Sequence, residues 1–289
     1  MRRLALLTVC LLAASCGGNQ AATGSRKISV VASLYPLAFL AEEVGGRFVQ
    51  VRNLTPHGAE PHDLELKPAQ VALLGEAGLV LYLGGGFQPS VRDALTGGSG
   101  NAVDLLAGQK ELSTGSASGK LDPHVWLAPA RAAEMARVVR QRLEAVDRRH
   151  GAIYRANAAS LTQRLEALDA EFSQGLKQCA RRAIVTSHEA FGYLAEAYRL
   201  EQIGVSGLDP EAEPTPGRLK QAVDFIRRTG ATTVYFESLV SPAVARTLAR
   251  EAGVATAELD PIEGKPAGGD YFSEMRRNLA QLRKGLECI

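Results

Sequence analysis

Five histidines, with a handful of acidic residues near them, are the side chains best suited to chemistry: His57, His62, His124, His150 and His188. They form no compact motif. The chain contains neither HExxH nor CxxC, so any metal site must be assembled from distant positions. Three of the five share a context. His62 lies in GAEPHD and His124 in LDPHVW, and His188 directly follows the strand-like run RAIVTS. A fourth candidate, Asp260, directly follows another strand-like run, ATAEL. In parallel α/β domains ligands bind beyond the carboxyl ends of strands, so these four positions, two from each half of the chain, are expected to converge. Three imidazoles and one carboxylate suit Zn2+, which takes four tetrahedral ligands. A Mn2+ site would carry more oxygen donors. Glu60, Glu189 and Glu237 are candidates for orienting the imidazoles, and Glu60 could also enter the site directly if Asp260 does not. His57 reads as an aid to entry or a plain loop residue. His150, beside Arg148 and Arg149, reads as a cation at a helix end.

The elements that must position these residues alternate. Residues 27–33, 48–54 and 79–83 read as strands and 36–44 and 68–77 as helices, with Pro36 in a first turn and Gly45-Gly46 as a stop. The second half repeats the pattern. Strands are expected at 182–187, 232–237 and 255–259, and helices at 189–200, 218–228, 242–252 and 270–286. Such alternation is the signature of mostly parallel sheets flanked by helices. Between the halves lie a helix at 130–146 and a second stretch running from about 151 to 176. The apolar face of that stretch is Tyr154, Leu161, Leu165, Leu168, Phe172 and Leu176. The reading is α/β: two similar lobes at 27–149 and 179–289, bridged by one long rigid helix at 150–178. The segment 115–120 reads as an exposed Gly/Ser loop.

The amino terminus speaks to compartment. Arg2-Arg3 precedes residues 4–14, apolar apart from Thr8 and too short to span a membrane. This fits a secretory signal peptide over residues 1–15. Ala13-Ala14-Ser15-Cys16 looks like a lipobox, with Leu12 one place further from the cysteine than usual. Cys16 is then the lipidation site, and 16–26 a flexible tether. Of four cysteines, Cys10 leaves with the signal and Cys16 takes the lipid. Cys179 and Cys288 remain, an even pair in an oxidising compartment, and are expected to form a disulfide. Lys+Arg is 33 and Asp+Glu 31; without Arg2 and Arg3 the charges balance. A neutral chain without a basic run gives no basis for nucleic-acid binding.

Seven stretches, taken in order, resemble a known family, the zinc/manganese-type solute-binding lipoproteins of bacterial ABC transporters (cluster A-I, or cluster 9). They are GAEPHDLE with Lys67-Pro68, DPHVWL, YRAN, TSHEAFGY, EAEPTP, Phe236-Glu237 and LDPI. The resemblance implies two α/β lobes bridged by a long helix, with the metal between them. His62, His124, His188 and Asp260 fall on its ligand positions. Zinc members carry histidine at the third, where manganese members typically carry glutamate, and the paired cysteines also resemble the zinc branch. Many zinc members insert a His-rich loop before the Asp-Pro-His motif; residues 108–121 are short and hold no histidine.

The resemblance implies a monomer anchored through its lipid on the outer side of a membrane, in the periplasm or at the cell surface. It would capture Zn2+ and deliver it to the transmembrane subunits of an ABC permease. Docking is expected to move a loop of the second lobe and pull away His188 or Asp260. One rival changes the ion to Mn2+ or Fe2+. A second is a mononuclear zinc hydrolase, which would keep an open coordination position. A third is an adhesin, a role described for some lipoproteins of this family. The reading adopted is a binding protein and not an enzyme.

Overall fold

The computed structural model describes residues 27–96, 98, 100–110, 112 and 121–289. The expected signal peptide, Cys16 with its tether, and the loop at 115–120 lie outside the described residues.

Two sheets of the same design form the molecule. The first holds β1 (Ile28–Ala32), β2 (Val49–Asn53), β3 (Leu79–Tyr82) and β4 (Ala102–Asp104) in the order β2-β1-β3-β4. The second holds β5 (Ala183–Thr186), β6 (Glu201–Gly204), β7 (Thr233–Phe236) and β8 (Ala255–Glu258) in the order β6-β5-β7-β8. Every pairing is parallel. Nine described helices make the connections: α1 (Tyr35–Gly45), α2 (Pro68–Glu76), α3 (Pro89–Leu95), α4 (Pro129–Val146), α5 (Gly151–Gly175), α6 (Gly192–Tyr198), α7 (Pro216–Thr229), α8 (Ala243–Ala252) and α9 (Tyr271–Gly285).

Strand alternation divides the core into layers. On β1, Val31 faces α2 and α3 with Leu54, Leu74, Val80 and Val91. Val30 and Ala32 face the other way, into a core shared by both lobes. On β5, Val185 packs with Val223, Ile226 and Leu248 from α7 and α8, while Ile184 joins the shared core. Burial on both faces of these central strands explains why they read as near-continuous apolar runs.

The shared core is organised by α5. Its buried residues, Tyr154, Ala158, Leu161, Leu165, Leu168 and Phe172, recur at helical spacing, and it packs against α1, α4 and α9. At 25 residues it is about 37 Å long, enough to bridge the lobes. Its flanks carry ion pairs to both sides, Arg164 to Glu43 at 2.5 Å and Glu171 to Arg276 at 2.8 Å. A hinge would have to tear one continuous apolar layer, so large lobe motion is disfavoured.

A disulfide joins Cys179 to Cys288 across 109 positions. It ties the entry to β5 to the segment after α9, beside Ala180 N donating to Glu287 O at 3.2 Å and Ile289 N donating to Gln178 O at 3.0 Å. Closing so long a loop restricts the unfolded chain. Replacing both cysteines with alanine is expected to lower stability by about 2–4 kcal/mol, read as an earlier denaturant midpoint. An unchanged midpoint would mean that the bridge contributes nothing.

The short elements α3, β4 and β6 have no counterpart in the sequence reading. β4 has three residues and β6 is the polar run EQIG, too short for a periodic signal. The helix expected from residue 189 starts at Gly192 instead. Residues 187–191 are held as a loop: Glu189 N donates to Gly207 O at 2.5 Å and Ser206 N to Ser187 O at 2.8 Å.

Candidate metal centre

Four loops beyond strand ends deliver the candidate ligands. His62 lies on the β2–α2 loop, fixed from below by Gln88 Nε2 donating to Pro61 O at 3.0 Å. Phe87 meets the His62 ring edge-on, with centroids 4.6 Å apart. The turn after β3 that places Phe87 is Gly84-Gly85-Gly86. Gly85 and Gly86 have φ of 68° and 84°, the region that favours glycine. His124 precedes a single 3₁₀ turn leading into α4. His188 follows β5, and its carbonyl accepts from Thr186 Oγ1 at 2.6 Å.

The fourth group is Glu263. Atoms of His62, His124, His188 and Glu263 that could ligate an ion all lie within 4.8 Å of one another. Glu263 Oε1 lies 3.1 Å from His62 Nε2, 3.1 Å from His124 Nε2 and 3.7 Å from His188 Nε2. The Nε2 atoms of His124 and His188 are 3.2 Å apart. His124 and His188 are fully buried and Glu263 nearly so. His62 is the most open of the four, its side chain 11% exposed. It lines a cleft of about 380 Å³ together with Asp63, Phe87, Pro123, Leu208 and Asp209.

Asp260, expected in the cluster, stands outside it. Its Oδ2 accepts from Ser238 Oγ at 2.5 Å and its Oδ1 from Ile262 N at 2.6 Å. Asn278 holds its backbone through Asp260 N and Asp260 O, at 2.9 and 2.6 Å. The Asp260 carboxylate therefore closes a turn on its own chain. Ile262 in that turn has φ of 57°, an uncommon conformation for a β-branched residue, and the turn swings Glu263 toward the imidazoles. Trp126 Nε1, donating to Pro261 O at 2.7 Å, pins the loop to the first lobe. The sequence signal was an acid between Pro261-Ile262 and Gly264, three residues past the strand-end position.

The far nitrogens of two imidazoles face carboxylates. His124 Nδ1 lies 2.7 Å from Asp122 Oδ1, and His188 Nδ1 lies 2.7 Å from Glu237 Oε2. At His124 this contact is a hydrogen bond that turns Nε2 toward the cluster. At His188 Nδ1 makes no hydrogen bond among the described residues, and Glu237 instead accepts from His188 N at 3.2 Å. Asp122 was not foreseen, although it stands two residues before His124 in the Asp-Pro-His motif. Glu60 accepts from His62 N at 3.0 Å, and its Oε2 is buried without a hydrogen-bond partner. Glu189 is away from the cluster, paired with Arg218. His57 is exposed on the same loop as His62. His150 is tied to Asp147 at 2.6 Å on the connection between α4 and α5.

The charges inside this dry site are strongly perturbed. Burial alone would disfavour the His124 imidazolium, but Asp122 and Glu263 outweigh it and hold its pKa up at about 10. Burial also opposes charge on Glu263, yet hydrogen bonds from His124 and His62 hold it well below the usual carboxylate range. Burial, helped by Glu263, pushes Glu60 up to about 8. Burial lowers His62.

A pH dependence follows. With its pKa raised by Asp122 and Glu263, His124 favours the doubly protonated ring near pH 7, and a metal ion can bond to Nε2 only after that proton leaves. The raised pKa therefore makes proton and ion compete up to about pH 10. Apparent affinity should rise about tenfold per pH unit between pH 6 and 8, for one displaced proton. Calorimetry in buffers of different ionisation enthalpy should show about one proton released per ion. An affinity flat across this range would contradict the assignment.

A family described as ZnuA, zinc-uptake complex component A periplasmic, matches residues 30–285. The zinc-binding lipoprotein AdcA of Streptococcus pneumoniae is 32% identical over 307 residues, covering 98% of this chain and 61% of that relative. The chain thus spans about three-fifths of the length of that relative. Among solved structures, the laminin binding protein Lmb of Streptococcus agalactiae, described as a bifunctional protein with adhesin and metal transporting activity, superposes with a TM-score of 0.83 at 31% identity. That match covers 90% of this chain and 99% of Lmb. The Zn(II)-bound ZnuA-like domain of Streptococcus pneumoniae AdcA gives a TM-score of 0.78 at 32% identity, covering 90% of this chain and 99% of that domain.

Proposed function

The chain belongs to the ZnuA family of zinc-uptake components, and from that premise we propose that it is an extracytoplasmic carrier that captures Zn2+ between its lobes and hands it to an ABC permease. The observation that carries this reading is the convergence of His62, His124, His188 and Glu263, two from each lobe, within 4.8 Å. Three imidazoles and one carboxylate form a donor set that suits tetrahedral Zn2+ better than Mn2+.

The ion enters by the cleft at His62. It displaces the His124 Nε2 proton and exchanges its water for three nitrogens and Glu263. Asp122 holds the His124 imidazole in the ligating orientation, and Glu237 lies against that of His188 while accepting from its backbone N. Four protein donors leave no open position for an activated water, which favours a carrier over a hydrolase. Release requires withdrawing a donor. The loop at 260–264 is suited to this, because it carries Glu263 and is pinned to the first lobe through Trp126. A permease that shifts this loop lowers the donor count to three.

Lipidation at Cys16 belongs to the same proposal and is supported by the lipoprotein name of the AdcA relative. The test of the carrier reading is titration of the metal-stripped protein with Zn2+ and Mn2+. One tightly bound Zn2+ per chain and weaker Mn2+ support it. Equal or tighter Mn2+ binding moves the chain to manganese transport, and no tight binding of either ion removes the proposal.

A further inference from the structure

The pole of the first lobe farthest from the metal cluster presents cations that the chain does not neutralise. From beside His124, α4 runs away for 18 residues, about 27 Å. The chain then turns through Arg148–His150 and returns as α5. Both acids near this turn are consumed internally. Asp147 accepts from His150 Nδ1 at 2.6 Å and Tyr154 Oη at 2.7 Å. Glu144 pairs with Arg140 at 2.6 Å and Arg155 at 2.9 Å. Arg142, Arg148 and Arg149 are exposed and take part in no ion pair among the described residues. Exposed Arg47 lies over the Phe48 ring at 4.9 Å, and that ring stacks on His150 at 3.9 Å. Val146 and Ile153, 44% and 37% exposed, flank the turn.

Strand register brings the chain's amino-terminal segment to the same pole. Ile28 pairs with Val49, so Lys27 enters the sheet beside Phe48, which itself sits on His150. Cys16 is eleven residues before Lys27, a reach of at most about 40 Å.

We propose that this pole lies on the anionic headgroups of the membrane into which Cys16 is anchored. Arg47, Arg142, Arg148 and Arg149 face the lipid phosphates, and Val146 and Ile153 enter the headgroup layer. The physiological setting rests on the lipidation reading given above; the surface itself does not require it. Docked in this way, the cluster and its cleft stand about 27 Å from the membrane surface, open to the medium for loading. Each cation near an anionic surface strengthens binding about fivefold and is screened by salt. The contact is therefore reversible, and the carrier can leave it to reach a permease.

The experiment is co-sedimentation of the processed, zinc-loaded chain carrying Cys16→Ser with vesicles of phosphatidylglycerol and phosphatidylethanolamine, or of phosphatidylcholine alone. The acyl anchor is thereby removed from the measurement. Binding to the anionic vesicles is expected, with loss at 0.5 M salt and none to the neutral ones. Arg148→Glu with Arg149→Glu should weaken it about twenty-fivefold or more, while Zn2+ stoichiometry stays at one. Val146→Ser with Ile153→Ser should weaken it less. Lys177→Glu with Lys284→Glu, at the far end of α5, should leave it unchanged. Equal binding to neutral vesicles, no binding, or equal loss from both charge reversals would overturn the proposal. Zinc binding measured on the same variants separates that failure from a failure of the carrier reading.

Discussion

Replacing His188 with alanine is expected to weaken Zn2+ binding by about a hundredfold to a thousandfold, because a four-ligand zinc site gains on the order of 10–16 kcal/mol and each donor carries a comparable share. His188 is fully buried, so its loss leaves a hole far from bulk water and strands Glu237 opposite it, 2.7 Å from the former Nδ1. His124→Ala should cost as much, for the same reason at Asp122. His62→Ala should cost less, since its ring lines the open cleft and a water molecule can take its place. Competition titration against a chelator of known affinity measures all three. Equal, small losses would mean that the ion does not sit among these rings.

The second large effect separates two acids three residues apart. Glu263→Ala is expected to lower Zn2+ affinity by about a hundredfold or more, since it removes the cluster's carboxylate. Asp260→Ala should act mainly on stability. It deletes acceptors for the exposed Ser238 Oγ, which water can replace, and for the more buried Ile262 N, at about 1 kcal/mol or more for the latter. Some affinity should also be lost, because the turn aims Glu263, but one ion per chain should remain. Thermal denaturation with and without Zn2+ reads both quantities. If Asp260→Ala abolished binding in a folded protein while Glu263→Ala did not, the assignment of the carboxylate would be reversed.

Glu263 marks where the sequence ceases to be legible. The three histidines could be found because each stands beyond a strand or in a short Pro-containing motif, and parallel sheets expose those positions. The same rule pointed to Asp260, the first acid past β8. What it could not supply is the left-handed residue Ile262, which redirects the chain so that a later acid points inward. Asp122 escaped for a different reason: its role depends on the rotation of its neighbour's ring, which spacing does not encode. The long elements were legible because each has a pattern. One face of α5 repeats over 25 residues, and β1, β3 and β5 are apolar runs closed by turns. The strands β4 and β6 are held by pairing to β3 and β5, a long-range effect that leaves little trace in their own residues.

The repeated strand order has a functional consequence. In the proposed site each lobe offers two donors at the carboxyl ends of its strands, His62 and His124 from one, His188 and Glu263 from the other. Neither lobe alone can complete a four-donor site. The shared core around α5, with Trp126 donating to Pro261 O and Tyr271 Oη donating to Trp126 O at 2.5 Å, holds the two half-sites in register. Local loop movement, and not wide opening, is therefore the economical way to load and release the ion.

The most direct test of this account is an anomalous difference map from crystals of the one-to-one Zn2+ complex, collected on both sides of the zinc absorption edge. The account predicts a single strong peak between the lobes, about 2.0–2.2 Å from the Nε2 atoms of His62, His124 and His188 and from a Glu263 oxygen, with Asp260 still bonded to Ser238. A peak ligated by Asp260, or one lying away from the three imidazoles, would contradict it.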